Sequence, residues 1–124
     1  MIHLDTHVLI WLHIPSPDRL SAAARDHVAS ERCLISPMVM LELNYLHERG
    51  RIPEPAKAVF KSVAEGIGLE LSRAGFGDVV AAAEALAWTR DPFDRLIVAT
   101  AAAEGSRLLT ADELIRKNFT GAIW

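Results

Sequence analysis

The sequence predicts an α/β protein with a central parallel sheet of four to five strands covered by helices. Short apolar runs recur at Ile2–Leu4, Cys33–Ile35, Leu69–Leu71 and Arg107–Leu109, and the segments between them carry helical periodicity. Strands joined by helices and wholly buried on both faces make a parallel sheet, because a hairpin cannot connect parallel neighbours.

Taken in order, Ile2–Leu4 reads as a strand ending at Asp5-Thr6, after which Val8, Leu9, Trp11 and Leu12 recur at helical spacing. Pro15-Ser-Pro17 breaks that helix, and a second runs from Leu20 to Val28 before the strand Cys33–Ile35. Ser36 caps the next helix with Pro37 at its first position; it runs to about Glu48 and stops at Gly50. Pro53 and Pro55 introduce a helix over Ala56–Ala64, closed by Gly66 and Gly68. Leu69–Leu71 is the third strand, and an alanine-rich helix covers Asp78–Trp88. A further helix spans Asp94–Glu104, with Asp91 as a cap and Pro92 at its start. Gly105 ends it, Arg107–Leu109 is the fourth strand, a last helix covers about Glu113–Lys117, and Ala122–Trp124 is an edge strand.

At 124 residues the chain predicts a single domain over 1–124, and 51% hydrophobic with 23% charged residues describes a globular chain with a generous core. The net charge of −3 argues against a protein that grips long nucleic acid by phosphate neutralisation, so any nuclease reading rests on a site. Cys33 is the one cysteine, which excludes an internal disulfide and points to a reducing compartment; its apolar neighbours suit a buried strand thiol. The first fourteen residues are apolar but lack a basic leader and are interrupted by Asp5 and three histidines. No run is long enough for a membrane span. The expected location is cytoplasmic, with no membrane role.

In an open parallel sheet the strand-to-helix junctions gather at one edge, where ligands bind. Asp5 follows the first strand and Asp112 the fourth, so both belong there. Each also has an ordinary reading. Asp5 can cap the first helix, and Thr110 with Glu113 has capping-box spacing, which leaves Asp112 as a favourable charge in the first turn. Capping explains Asp91 well and Asp94 less fully, since Ile97 and Val98 turn the same side of the helix toward apolar surroundings. Glu42 tips the balance: its helical neighbours are Met38, Val39, Tyr45 and Leu46, and a buried glutamate needs a cation or an ion pair, for which Arg95 is the structural alternative. Converging carboxylates with no basic residue fixed beside them repel one another. Two unit charges 4 Å apart interact by about 4 kcal/mol at an effective dielectric near 20, so such a cluster takes up protons or a divalent cation. All-oxygen ligands favour Mg²⁺ or Mn²⁺ over Zn²⁺.

Four segments, Leu4-Asp-Thr-His-Val-Leu-Ile-Trp11, Ser36-Pro-Met-Val-Met-Leu-Glu-Leu43, Arg90-Asp-Pro-Phe-Asp-Arg-Leu-Ile-Val-Ala99 and Leu108-Leu-Thr-Ala-Asp112, together resemble the PIN-domain family, and within it the VapC-type toxins of type II toxin–antitoxin systems. The resemblance covers the whole chain in order. It implies a three-layer α/β/α fold, Mg²⁺ or Mn²⁺ dependence and endonucleolytic cleavage of RNA. It assigns the family's four acids to Asp5, Glu42, Asp94 and Asp112, as catalytic and metal-binding residues. Thr6 and Thr110 match the small hydroxyl residues that orient the site, while Asp91 supports it as a helix cap. It further implies a homodimer, and a VapB-type antitoxin partner that forms a heterotetramer or larger assembly, sets a basic side chain against the acidic pocket and supplies any DNA binding.

Three other readings compete. His3, Asp5 and His7 stand two apart, as at the opening of some metal phosphoesterases, but His13, His27 and His47 complete no such motif. A receiver-type phosphorelay domain needs an acceptor aspartate that Leu69–Ser72 does not supply. A PIN-like scaffold without catalysis would not need the full set of acids. Trp11, Trp88 and Trp124 read as core or dimer-surface anchors, and Arg49, Arg51, Arg90, Arg95 and Arg107 as either an RNA path or solubilising charge.

Overall fold

The computed structural model describes residues 1–124, apart from the side chain of Pro17. Five strands, β1 (Ile2–Leu4), β2 (Cys33–Ile35), β3 (Glu70–Leu71), β4 (Arg107–Leu109) and β5 (Ala122–Ile123), form one parallel sheet in the order β3-β2-β1-β4-β5. Seven helices flank it: α1 (Thr6–His13), α2 (Ala22–Ser30), α3 (Pro37–Glu48), α4 (Ala56–Ile67), α5 (Phe76–Glu84), α6 (Pro92–Ala103) and α7 (Glu113–Asn118). No helix among the described residues is long and apolar enough to cross a membrane.

Every residue of β1 and β2 is buried, as strands covered on both faces require. Ile2, Leu4, Ile35, Leu108 and Leu109 from the strands meet Val8 and Leu9 of α1, Val39 and Leu43 of α3 and Ile97 of α6 in one core. The chain lays β2 and β3 to one side of β1, then returns to lay β4 and β5 on the other. β1 and β4 are therefore neighbours where the direction of winding reverses, and the loops after them open the crevice that such a reversal creates. Asp5 and Asp112 follow those two strands.

Several element ends differ from the sequence reading. The alanine-rich helix runs Phe76–Glu84 instead of Asp78–Trp88. Arg95 ends it early: its guanidinium donates to the carbonyls of Ala83 at 2.9 Å and Glu84 at 3.4 Å, at the helix's negative end. Trp88, freed from that helix, packs against the main core. The second helix starts at Ala22 because Ser21 caps it, accepting from the amide of Ala24. The helix after Pro55 runs through Gly66 to Ile67, and the stop is Gly68 in the left-handed conformation at φ +70°. The third strand shortens to Glu70–Leu71, an exposed edge. Cys33 is buried as expected, and burial pushes its thiol up to about 11.

The two glycines near the end of α4 predict opposite effects. Gly66→Ala meets no atom within 4 Å and should stabilise by about 0.5–1 kcal/mol, by removing an entropic cost in a helix interior. Gly68→Ala is equally unobstructed but forces a side chain into positive φ, and should destabilise by roughly 1 kcal/mol. Urea unfolding of the two variants checks both signs.

Candidate active site

The end of β1 delivers Asp5 into the crevice and α1 starts there, because Asp5 caps it: Oδ1 accepts from the amide of Thr6 at 2.8 Å. The other oxygen, Oδ2, accepts the hydroxyl of Thr110 at 2.7 Å, so a residue after β4 holds one from β1. Thr110, fully buried, also accepts from the amide of Asp112 at 3.1 Å. Asp112 in turn caps α7, accepting from Ile115 at 3.0 Å. The capping box expected between Thr110 and Glu113 does not form. Asp112 is itself the cap, and Thr110 is drawn instead toward the charge of Asp5.

Asp94 lies in the first turn of α6, which Asp91 caps by accepting from Phe93 at 2.8 Å and Asp94 at 3.2 Å. Glu42 projects from the middle of α3 and is half-buried. Asp5, Glu42, Asp94 and Asp112 all line a single cavity of about 140 Å³, together with Thr6, His7, Ile10 and Leu46. Among the described residues no lysine or arginine lines it. The ion pair considered between Glu42 and Arg95 is absent, because Arg95 is spent on the end of α5.

Burial pushes Asp94 up to about 7, and the charges of Asp5, Asp91, Asp112 and Glu42 add to the shift. Glu42 is raised for the same reasons: burial first, then Asp5 and Asp91, partly offset by the Thr6 hydroxyl. That hydroxyl is buried and forms no hydrogen bond of standard geometry. Among the described residues no three of these acids come close enough together to share one ion. The donor set nevertheless fits a hard divalent cation: four carboxylates, the Thr6 hydroxyl and the His7 imidazole, with no sulfur ligand, around one small cavity.

Sequence reasoning passed over His7 except as a rival metal ligand. Its ring lines the cavity, with Nδ1 3.6 Å from Asp5 Oδ2 and Nε2 accepting the amide of Ala111 at 2.9 Å. The signal was the short spacing Asp5-Thr6-His7 at a helix start. His3, its companion in the phosphoesterase reading, is buried with Nε2 2.6 Å from Glu104, and burial lowers its pKa. It does not line the cavity. Trp11 and Trp124, remote in sequence, come together with ring centres 5.8 Å apart and both pack on the core. Arg107 pairs with Glu31 at the opposite end of β4 from Thr110, so it lies off any path to the crevice.

Residues 2–118, a span that includes all four acids, match the PIN domain family. This chain belongs to the PIN-domain family. The PIN domain is 34% identical over 123 residues to Ribonuclease VapC22 of Mycobacterium tuberculosis, an alignment that covers 93% of this chain and 89% of that one. Among solved structures it resembles VapBC2 from Rickettsia felis bound to a DNA fragment from their promoter, with a TM-score of 0.67 and 20% identity over 99% of this chain and 96% of that one. It also resembles a toxin–antitoxin complex from Klebsiella pneumoniae, with a TM-score of 0.70 and 16% identity over 100% and 97% of the two chains. These two likenesses speak for the fold.

The electrostatics predict how stability responds to pH. Folded, Asp94 holds its proton to about 7; unfolded, it releases it near 3.8. Its contribution is therefore full below 3.8 and is lost as pH rises to about 7. Asp94→Asn should remove that loss and melt higher than the wild type above this window when both are in chelator. Added Mn²⁺ should narrow the gap by stabilising the wild type. Thermal melting across pH, read as the difference between the two proteins, cancels the opposite trend from the lowered histidines His3 and His7.

Proposed function

We propose that this PIN domain, residues 1–124 as one unit, is a Mg²⁺- or Mn²⁺-dependent endoribonuclease and the toxin of a VapBC-type toxin–antitoxin system. One observation carries the reading: four carboxylates from four separate segments line one cavity that contains no cationic side chain. The identity to Ribonuclease VapC22 across most of both chains supports RNA as the substrate. The likeness to toxin–antitoxin complexes, one of them bound to promoter DNA, supports a VapB-type antitoxin partner; a homodimeric toxin in a larger assembly, with promoter DNA reached through the antitoxin, belongs to the same proposal. A reducing, cytoplasmic setting suits the unpaired buried Cys33.

In this reading Asp5 and Asp94 hold the principal cation, and Asp112 completes its shell or holds a second. A bound divalent ion supplies a lowered water pKa and stabilisation of the leaving oxygen. Glu42, half-buried and made more basic by that burial, is suited to orient the attacking water and, in its ionised form, to accept its proton. Thr110 fixes the direction of the Asp5 carboxylate, and Thr6 sets its hydroxyl toward Glu42 at the same cavity. Asp91 acts from outside, by starting α6 where Asp94 must sit.

Asp5→Asn should abolish Mn²⁺-dependent cleavage of RNA with the fold intact, and Thr110→Val should slow it roughly 10–100-fold, the usual loss when a ligand's orienting partner is removed. Cleavage assays with circular dichroism as the control for folding test both. Undiminished cleavage by Asp5→Asn would remove the cavity from the mechanism.

A further inference from the structure

We infer that His7 is a positioning residue for the reaction: its imidazole locks the loop after β4 against α1 and so sets Asp112 and Asp5 at their working separation. The inference rests on the nuclease reading above and extends it to a residue outside the four acids.

The loop has three consecutive amides, each with a different anchor. Thr110 N–H donates to the carbonyl of Ile123 at 3.0 Å, tying the loop to β5. Asp112 N–H donates to the hydroxyl of Thr110 at 3.1 Å, a bond internal to the loop. Ala111 N–H donates to His7 Nε2 at 2.9 Å, and this bond joins the loop to α1. Because Nε2 accepts, the ring proton of the neutral imidazole sits on Nδ1, the nitrogen 3.6 Å from Asp5 Oδ2. One ring thus touches the loop that carries Asp112 and faces the carboxylate of Asp5.

The ring cannot easily turn away. Its centre lies 4.8 Å from that of Trp11 and 6.1 Å from that of Trp124, the two tryptophans in mutual contact. Trp11 is one turn further along α1, and Trp124 follows β5, so the same stack fixes the imidazole between an element before the crevice and one after it. Asp5 and Asp112 would repel each other if both were charged, and the Thr110 hydroxyl reaches only the first through its proton. His7 adds a further side-chain tether, from α1 to the loop itself, to the Thr110 bond and to the backbone bond from Asp5 N–H to the Leu109 carbonyl at 3.1 Å.

Two substitutions separate the hydrogen bond from the packing. His7→Phe keeps a ring against the tryptophans but cannot accept from Ala111; His7→Gln gives up the ring and retains an acceptor. Three readouts are taken on the full chain: hydrogen exchange at the Ala111 amide, Mn²⁺ affinity by calorimetry, and kcat and KM for RNA cleavage. His7→Phe should expose the Ala111 amide to exchange, weaken Mn²⁺ binding roughly 10–100-fold and lower kcat with KM for RNA little changed. His7→Gln should restore most of each. A folded His7→Phe that binds Mn²⁺ and cleaves like the wild type overturns the inference and leaves the nuclease reading standing. An impaired His7→Gln beside an unimpaired His7→Phe overturns it in favour of ring packing, and equal impairment of both overturns the assignment of the effect to the Ala111 hydrogen bond. A wild-type protein that neither binds Mn²⁺ nor cleaves RNA ends the nuclease reading and this inference with it.

Discussion

Repulsion among carboxylates is the constraint around which the crevice is built. Asp5, Glu42, Asp94 and Asp112 reach one small cavity from β1, α3, α6 and the loop after β4. The protein tolerates this because the acids are tied to the fold by groups that favour charge: Asp5 and Asp112 accept helix-starting amides, and Asp5 also accepts the Thr110 hydroxyl. Burial and the surrounding acids raise the pKa of Glu42, which the Thr6 hydroxyl offsets only in part, and of Asp94.

Capping a helix and lining the acidic cavity are not rival roles for Asp5 and Asp112. An N-cap typically contributes about 1 kcal/mol, enough to fix where α1 and α7 begin. That position in turn aims the second carboxylate oxygen at the crevice. Asp91 shows the same economy one step removed: it takes no place in the cavity wall, yet by capping α6 it places Asp94 in the first turn, facing the other acids. Local helix-start chemistry is how a short chain positions a charged site to a fraction of a turn.

Much of this was legible because it is local. Apolar runs and helical periodicity marked the five strands and seven helices, and the Asp-Pro and Ser-Pro starts marked two caps. The errors fell where a distant group intervened. Arg95, eleven residues beyond Glu84, stopped α5 early. Asp5, on the far side of the chain, drew Thr110 out of a capping box. Nothing in the neighbourhood of either element carries that information.

The sequence by itself determined the fold class, through apolar runs and helical periodicity, and its four motif segments carried the resemblance to the family and singled out the four acids that line the cavity. Only the tertiary structure decided that Glu42 faces carboxylates and not Arg95, that His3 pairs with Glu104 away from the crevice, and that His7 reaches Ala111 more than a hundred residues on. The physical reason is the reversal in strand order. By laying β4 beside β1, it brings the two ends of the chain's charged motifs into contact, and electrostatics acts through that space, blind to separation along the backbone.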